Sequence, residues 1–340
     1  MTAEALKTGA TMAEGGQIPP EAARRMLDGI LRVRLIEQRI AEVYAKEQLM
    51  RCPTHFSIGQ EAVAVGVCSQ MAKDEKITSA HRSHAHYLAK GGDLKAMVAE
   101  LYGKATGCAN GKGGSMHLID NNVGFIGAVP IVGATIPIGV GCAYASVLKK
   151  DPKLAVIFFG DGAAETGVFH ESLAFAVLHK LPVVMVCENN LYSVLSSLDV
   201  RQPPGRKLLD LAAAHGALAL GGDGNDADEV YRLTAQAFAH ARGGDGPVFL
   251  EFATYRWLEH CGPLNDEHLG YRPEGELDRW KERDPLKLYA DRMVARGLAD
   301  EAWIDSRTAA IHDEVEAALT FGRESPFPVR SELDTYLYAS

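Results

Sequence analysis

Missing from this sequence are a CxxC pair, an apolar run of membrane-spanning length, a GxGxxG turn after a first strand, and any arginine before Arg24. The six cysteines (Cys52, Cys68, Cys108, Cys142, Cys187, Cys261) are scattered, several of them in apolar runs. They read as structural thiols in a reducing compartment, not as a disulfide framework or a zinc site. A helix needs about 20 apolar residues to cross a bilayer, and no run comes near that length. The first twenty residues hold no apolar core and carry Glu4 and Glu14, which argues against a secretory or transit signal. A cytoplasmic location without a membrane partner is the expectation. The missing GxGxxG disfavours a nicotinamide-binding dehydrogenase. Positive charge is also short: the net charge of −9 argues against nucleic acid as the main partner, since neutralising phosphates needs a basic face.

What is present is core. The chain has 340 residues, 47% of them hydrophobic, enough for an α/β domain. No repeat, low-complexity segment or linker interrupts it. Residues 1–19 read as a mobile N-terminal segment and 20–340 as one domain. A long helix is expected from about Glu21 to Glu47, with Met26, Ile30, Val33, Ile36, Ile40 and Val43 at helical spacing and Arg and Glu on the other face. A helix from about Gln60 to Met71 and a short strand at Lys76–Ser79 follow. Residues Thr106 to Gly133 are rich in glycine and too long for a simple connection, which points to a functional loop. Ile136 to Lys149 reads as a helix whose Gly139, Gly141, Ala143 and Ala145 suit either a tight interface or close packing within the domain. Ala217–Leu220 and Val248–Thr254 read as buried strands flanking a helix at Ala227–Ala241. The tail from Asp284 to Phe321 reads as two helices.

The chain is organised around Leu154 to Tyr192. Leu154–Phe159 is an unbroken apolar run, the pattern of a fully buried strand. It ends in Gly160-Asp161-Gly162. A helical segment, Val168–Leu178, leads to a second apolar run, Val183–Cys187, that ends in Glu188-Asn189-Asn190. Open α/β sheets bind ligands at such carboxyl ends. Glycine lets backbone amides approach phosphate, and a helix N-terminus favours negative charge. Asp161 and Asn190 offer hard oxygen donors suited to magnesium. Each motif alone would read as a tight turn; the pair, at both strand ends of one βαβ unit, is the stronger signal.

This GDG…NN pattern, with the interval seen between Gly162 and Asn189, resembles the diphosphate signature of thiamine-diphosphate enzymes. Further stretches are similar to one group of them, in the same order: His55–Ala62 (HFSIGQEA), Ser79–His84 (SAHRSH), Gly111–His117 (GKGGSMH), Ile131–Ala134, Lys180-Leu181-Pro182 and Thr254-Tyr255-Arg256. The chain resembles the alpha subunit of the decarboxylating first component of 2-oxo acid dehydrogenase complexes, a family shared with acetoin dehydrogenase. The resemblance implies an α/β thiamine-diphosphate-binding fold, a mostly parallel sheet flanked by helices with an N-terminal helical extension. It implies that Asp161, Asn190 and the backbone carbonyl of Tyr192 hold Mg2+, and that the amides of Gly162 and Ala163 hold the diphosphate. Arg82 matches a phosphate-binding arginine, beside His81 where relatives often have tyrosine. Pro130 and Val132 match contacts to the aminopyrimidine ring. His55 and His260 match catalytic histidines, with His260 also touching cofactor, and His84 is expected on the active-site wall. The loop Leu258–Pro263 departs from the family, and Cys261 stands at a position that is a phosphorylated serine in some members.

The resemblance further implies a separate beta subunit that supplies a glutamate to the cofactor, in an α2β2 assembly, and a lipoyl-bearing acyltransferase as acceptor. The substrate is expected to be a small 2-oxo acid, pyruvate first. Acetoin, a lipoyl-independent carboligase or transketolase-like reaction, and a non-catalytic assembly subunit remain as alternatives. Intact Asp161, Asn190, His55 and His260 argue against the last.

Overall fold

The structure, a computed structural model, describes residues 18–335. The expected mobile segment therefore falls mostly outside the described residues. Ile18 is buried, and its carbonyl accepts from Arg296 at 3.2 Å. Helix α1 (Pro20–Glu47) begins with proline in its first turn, where the missing N–H costs nothing, and stops at Gln48, whose φ of 53° leaves the helical region. Its predicted apolar stripe is buried throughout. The polar face is not all solvated, however. Arg34 and Glu37 are buried, because α2 (Glu61–Cys68), the helix Pro285–Ala295 and the loop before α2 cover that side and bring Glu61 and Asp284 to Arg34 at 2.5 and 2.9 Å.

After α2 come β1 (Lys76–Ser79), α3 (His84–Ala89), α4 (Leu94–Leu101) and β2 (Phe125–Ala128). Next are α5 (Thr135–Leu148), β3 (Ala155–Gly160), α6 (Gly167–Leu178) and β4 (Val183–Asn189). A small pair, β5 (Tyr192–Ser193) and β6 (Ser196–Ser197), and the turn α7 (Leu198–Arg201) lead to α8 (Leu208–Ala214), β7 (Leu218–Asp223), α9 (Ala227–Arg242) and β8 (Val248–Ala253). Helices α10 (Glu276–Lys281), α11 (Pro285–Ala295) and α12 (Glu301–Glu324) complete the order, with α12 packed on α4 and α1.

The main sheet has six parallel strands in the order β2-β1-β3-β4-β8-β7. Central strands are covered on both faces, which is why β3 and β4 are continuous apolar runs. Alternate residues serve opposite layers. Val156, Phe158, Val184 and Val186 join the α1, α2 and α9 side; Ala155, Ile157, Phe159, Val183 and Met185 join the α5, α6 and α8 side. Each large side chain buried this way contributes about 1.5–3 kcal/mol.

Two expectations change. β2 lies unannounced inside the glycine-rich stretch, its four residues including Gly127. The strand near Ala217–Leu220 starts at Leu218 and is only half-buried, because β7 is an edge strand paired on one side, with β8. Of the two roles expected for the small-residue helix α5, packing within the domain is the one observed. A Cβ at Gly139 would lie 2.4 Å from the Ile157 side chain, so that glycine seats the helix on its own sheet. Gly141 meets nothing within 4 Å and shares the outer surface with exposed Ile138 and Leu148.

Candidate functional site

The chain leaves β1 for β2 at one edge, then returns to place β3 on the other side of β1. That reversal opens a crevice at the carboxyl ends, where open α/β sheets place ligands. Into it run Ala80–Arg82 after β1, Val129–Gly133 after β2, Gly160–Ala163 from β3, and Glu188 and Asn190 from β4. They line a cavity of about 330 Å³, closed by His55, Gln60, Tyr192–Val194 and His260.

Asp161 is buried and opens a short 3-10 turn, Asp161–Glu165, ahead of α6. Burial pushes its carboxyl above the ordinary range, while Arg201 pulls it back. Arg201 pairs with both Asp161 and Glu165, and Gln202 donates to Glu165 at 2.8 Å. Ser193 lies over Gly162, where a Cβ would come 2.8 Å from its hydroxyl. Only glycine therefore fits there without displacing Ser193. Asn190 Oδ1 accepts from the Tyr192 N–H at 3.2 Å, and its amide donates to Gln60 at 3.1 Å. Between and beyond them Leu191 and Val194 hold φ of 73° and 56°, conformations that bulky residues adopt only when their surroundings impose them.

The opposite wall is cationic and imidazole-rich. Arg82 is buried and donates to the carbonyls of Phe56 and His260, the latter at 2.9 Å. Among the described residues it forms no ion pair with a carboxylate. Burial, then the charge of Arg256, holds its pKa down at about 9. The rings of His55, His81 and His260 form a triangle with centroids 4.7, 5.0 and 5.1 Å apart. Burial first, then Arg82, lowers their pKa values to about 2, 3 and 4 respectively. All three are neutral at pH 7, displaced far from the unperturbed value that the residue type suggests. Nδ1 of His55 has no hydrogen-bond partner among the described residues.

The loop carrying His260 is held by a buried cluster. Asp266 receives Arg256 at 3.1 Å and Arg272 at 3.0 Å, and Tyr271 also donates to it. The Gly262 N–H donates to the Thr54 carbonyl at 2.9 Å, tying this loop to the segment that carries His55.

A family model described as "Dehydrogenase E1 component" matches residues 29–330. The chain belongs to the dehydrogenase E1 component family. It is 36% identical over 328 residues to the alpha subunit of acetoin:2,6-dichlorophenolindophenol oxidoreductase from Bacillus subtilis, covering 96% of each chain. It is 35% identical to the pyruvate dehydrogenase E1 component subunit alpha of Rickettsia felis, covering 91% of this chain and 93% of that one. It is 37% identical to the mitochondrial alpha-1 subunit of rice pyruvate dehydrogenase E1, covering 88% and 75%. As a dehydrogenase E1 component the protein is an oxidoreductase dependent on thiamine diphosphate.

The E1 site residues expected from sequence converge on one cavity: His55, His81, Arg82, Pro130, Val132, Asp161, Gly162, Ala163, Asn190, Tyr192 and His260 all line it. His84 does not. It is completely buried behind the wall, between Glu37 and Ser115, because α3 turns its first residue inward onto α1. The donors fit a diphosphate with a hard divalent cation: a buried carboxylate and an amide oxygen on one side, a buried arginine without a carboxylate ion-pair partner on the other. Sequence reasoning missed Gln60, Glu188, Arg201 and the Arg256–Asp266–Arg272 cluster. Gln60 and Glu188 stood inside recognised motifs. Arg201 had no local signal, since only the tertiary fold brings it to Asp161.

Proposed function

We propose that the chain is the diphosphate-holding alpha subunit of a 2-oxo acid dehydrogenase that oxidatively decarboxylates a small 2-oxo acid, pyruvate first, and passes the acyl group to a lipoyl carrier on an acyltransferase. The observation that carries this is one cavity in which Asp161 and Asn190 face Arg82 and three neutral histidines. Asp161, Asn190 and the Tyr192 carbonyl would hold Mg2+, the amides of Gly162 and Ala163 with Arg82 the diphosphate, and Pro130 and Val132 the aminopyrimidine. Thiamine diphosphate, when bound, supplies the carbon chemistry. His55 and His260 handle protons around it, and the open Nδ1 of His55 is the atom available. Residues 20–340 act as one domain.

A beta subunit completes the site, in an α2β2 assembly. Of the carboxylates on the cavity wall, Asp161 pairs with Arg201, and Glu188 lies 3.2 Å from His86. On this reading the glutamate that the cofactor ring needs comes from the beta subunit. The exposed apolar surface of α5 and α6, with Ile138, Leu148, Phe175 and Leu178, supports a docking face. The unpaired cysteines support a reducing compartment, the cytoplasm. No helix among the described residues is long and apolar enough to cross a membrane.

Acetoin is the second reading, favoured by His81 on the cavity wall and by the match to the Bacillus oxidoreductase across 96% of both chains. Coexpression with the cognate beta chain, followed by dye reduction with pyruvate, branched 2-oxo acids and acetoin, decides between them. Turnover requires both chains on this reading; full activity from the isolated alpha chain overturns it.

A further inference from the structure

We propose that Glu37, His84 and Ser115 form a buried clamp that positions His55 and Arg82 for the reaction. The inference rests on the catalytic reading of His55 above. Glu37 Oε1 lies 2.6 Å from His84 Nδ1, and His84 Nε2 lies 2.8 Å from Ser115 Oγ. Both ends of this chain grip the same short segment. Ser115 Oγ accepts the backbone N–H of His55 at 3.3 Å, and Glu37 Oε2 accepts the backbone N–H of Ser57 at 2.7 Å. Between those anchors the Phe56 carbonyl accepts from Arg82.

The proton inventory closes. An ionised Glu37 accepts from His84 Nδ1–H. His84 Nε2 is then an acceptor, and the Ser115 hydroxyl donates to it. That leaves the Ser115 oxygen free to accept from His55. This arrangement satisfies every partner, and such a network favours one geometry of residues 55–57. The three side chains come from α1, from α3 and from the glycine-rich stretch between α4 and β2, elements distant in sequence. Their meeting point fixes two residues of the cavity's cationic wall.

Serine, histidine and glutamate in this order also describe a hydrolase triad. The burial rules that out. Ser115, His84 and Glu37 are each 0% exposed, and none of them lines the cavity. The hydroxyl meets a backbone amide, not a substrate, so these are positioning residues.

The test uses the alpha chain assembled with its beta subunit. Ser115→Ala should lower kcat about 10- to 100-fold with KM within about twofold, the scale of an ångström-level misplacement. Hydrogen exchange at the amides of residues 55 and 57 should quicken by about 10-fold or more as the anchor is lost. In a double-mutant cycle, Ser115→Ala added to His55→Ala should cost at least about threefold less than Ser115→Ala alone, because much of its effect acts through His55. Equal losses in both backgrounds, or unchanged exchange, overturn the clamp. Should Ser115→Ala fail to assemble, Glu37→Gln runs the same cycle with the same expected outcomes. If His55→Ala alone leaves activity intact, the catalytic reading of His55 fails, while the exchange data still judge the clamp.

Discussion

The two ends of the cavity are built differently. The Asp161–Asn190 end rests on the tips of two adjacent central strands, β3 and β4, paired residue by residue up to Gly160 and Glu188. The histidine end is assembled from three loops: residues 54–58 before α2, 80–82 after β1, and 258–263 after β8. Strand tips inherit their position from the sheet. The loops need tethers, and the structure supplies them as buried polar contacts: the Asp266 cluster, the Gly262–Thr54 bond, the Arg82 bonds to Phe56 and His260, and the Glu37–His84–Ser115 chain. The comparison teaches that motif chemistry is rigid where the sheet carries it, and depends on distant ion pairs where loops carry it.

Breaking one end at a time tests this, and the largest effect is expected at the strand tips. Asp161→Ala should weaken magnesium-dependent cofactor binding by more than about 100-fold, beyond the usual cost of a secondary contact, and abolish turnover. Titration calorimetry on the assembled enzyme measures it; unchanged affinity refutes the metal assignment. Circular dichroism should show the fold intact.

Asp266→Asn should do the converse. Removing one partner of a buried ion pair costs about 3–5 kcal/mol, here concentrated in the loop that carries His260. Exchange protection across 255–272 and kcat should fall, while cofactor affinity stays within about threefold if the ends are independent. Equal loss of cofactor affinity would show that the two ends are one cooperative unit.

Arg201→Gln gives a smaller effect of opposite sign. Arg201 sits on the carboxylate that the proposed Mg2+ requires, so the two cations compete for Asp161. Removing Arg201 should tighten Mg2+ binding by about 10-fold, the worth of roughly 1.4 kcal/mol. It should also lower the melting temperature measured without metal, because Asp161 loses its partner. Weaker magnesium binding would instead make Arg201 a cofactor ligand.

The mildest test is pH. His55, His81 and His260 have folded pKa values of about 2, 3 and 4, below the ordinary 6.5. The unfolded chain therefore binds more protons once pH drops below about 6.5, and stability falls through that window. Above it these groups contribute no pH dependence. His81→Phe should make the decline between pH 6.5 and 4 shallower; identical slopes for both proteins would contradict the buried neutral triangle.

Periodicity and motif were enough for much of this protein. The apolar runs that became β3 and β4 could be read directly, because strands covered on both faces have no polar side to blur the pattern. The glycines and oxygen donors at their ends sit next to those runs in the chain, so the diphosphate end of the site was legible too. β2 was not, since four residues containing glycine carry no strand signal. Nor was the burial of Arg34, Glu37 and His84, residues whose types predict exposure or catalysis.

The sequence by itself determined the sheet's central strands, the residues at their tips and the family to which they belong. The tertiary structure alone decided that Arg201 meets Asp161, that three histidines from separate loops come within about 5 Å of one another, and that His84 supports the site without entering it. The physical reason is the range of each force. Hydrophobic periodicity is a local property written every two or three residues. A buried polar group must instead be satisfied by whichever partner the fold delivers, and for Arg34, Asp161 and Glu37 that partner lies far along the chain.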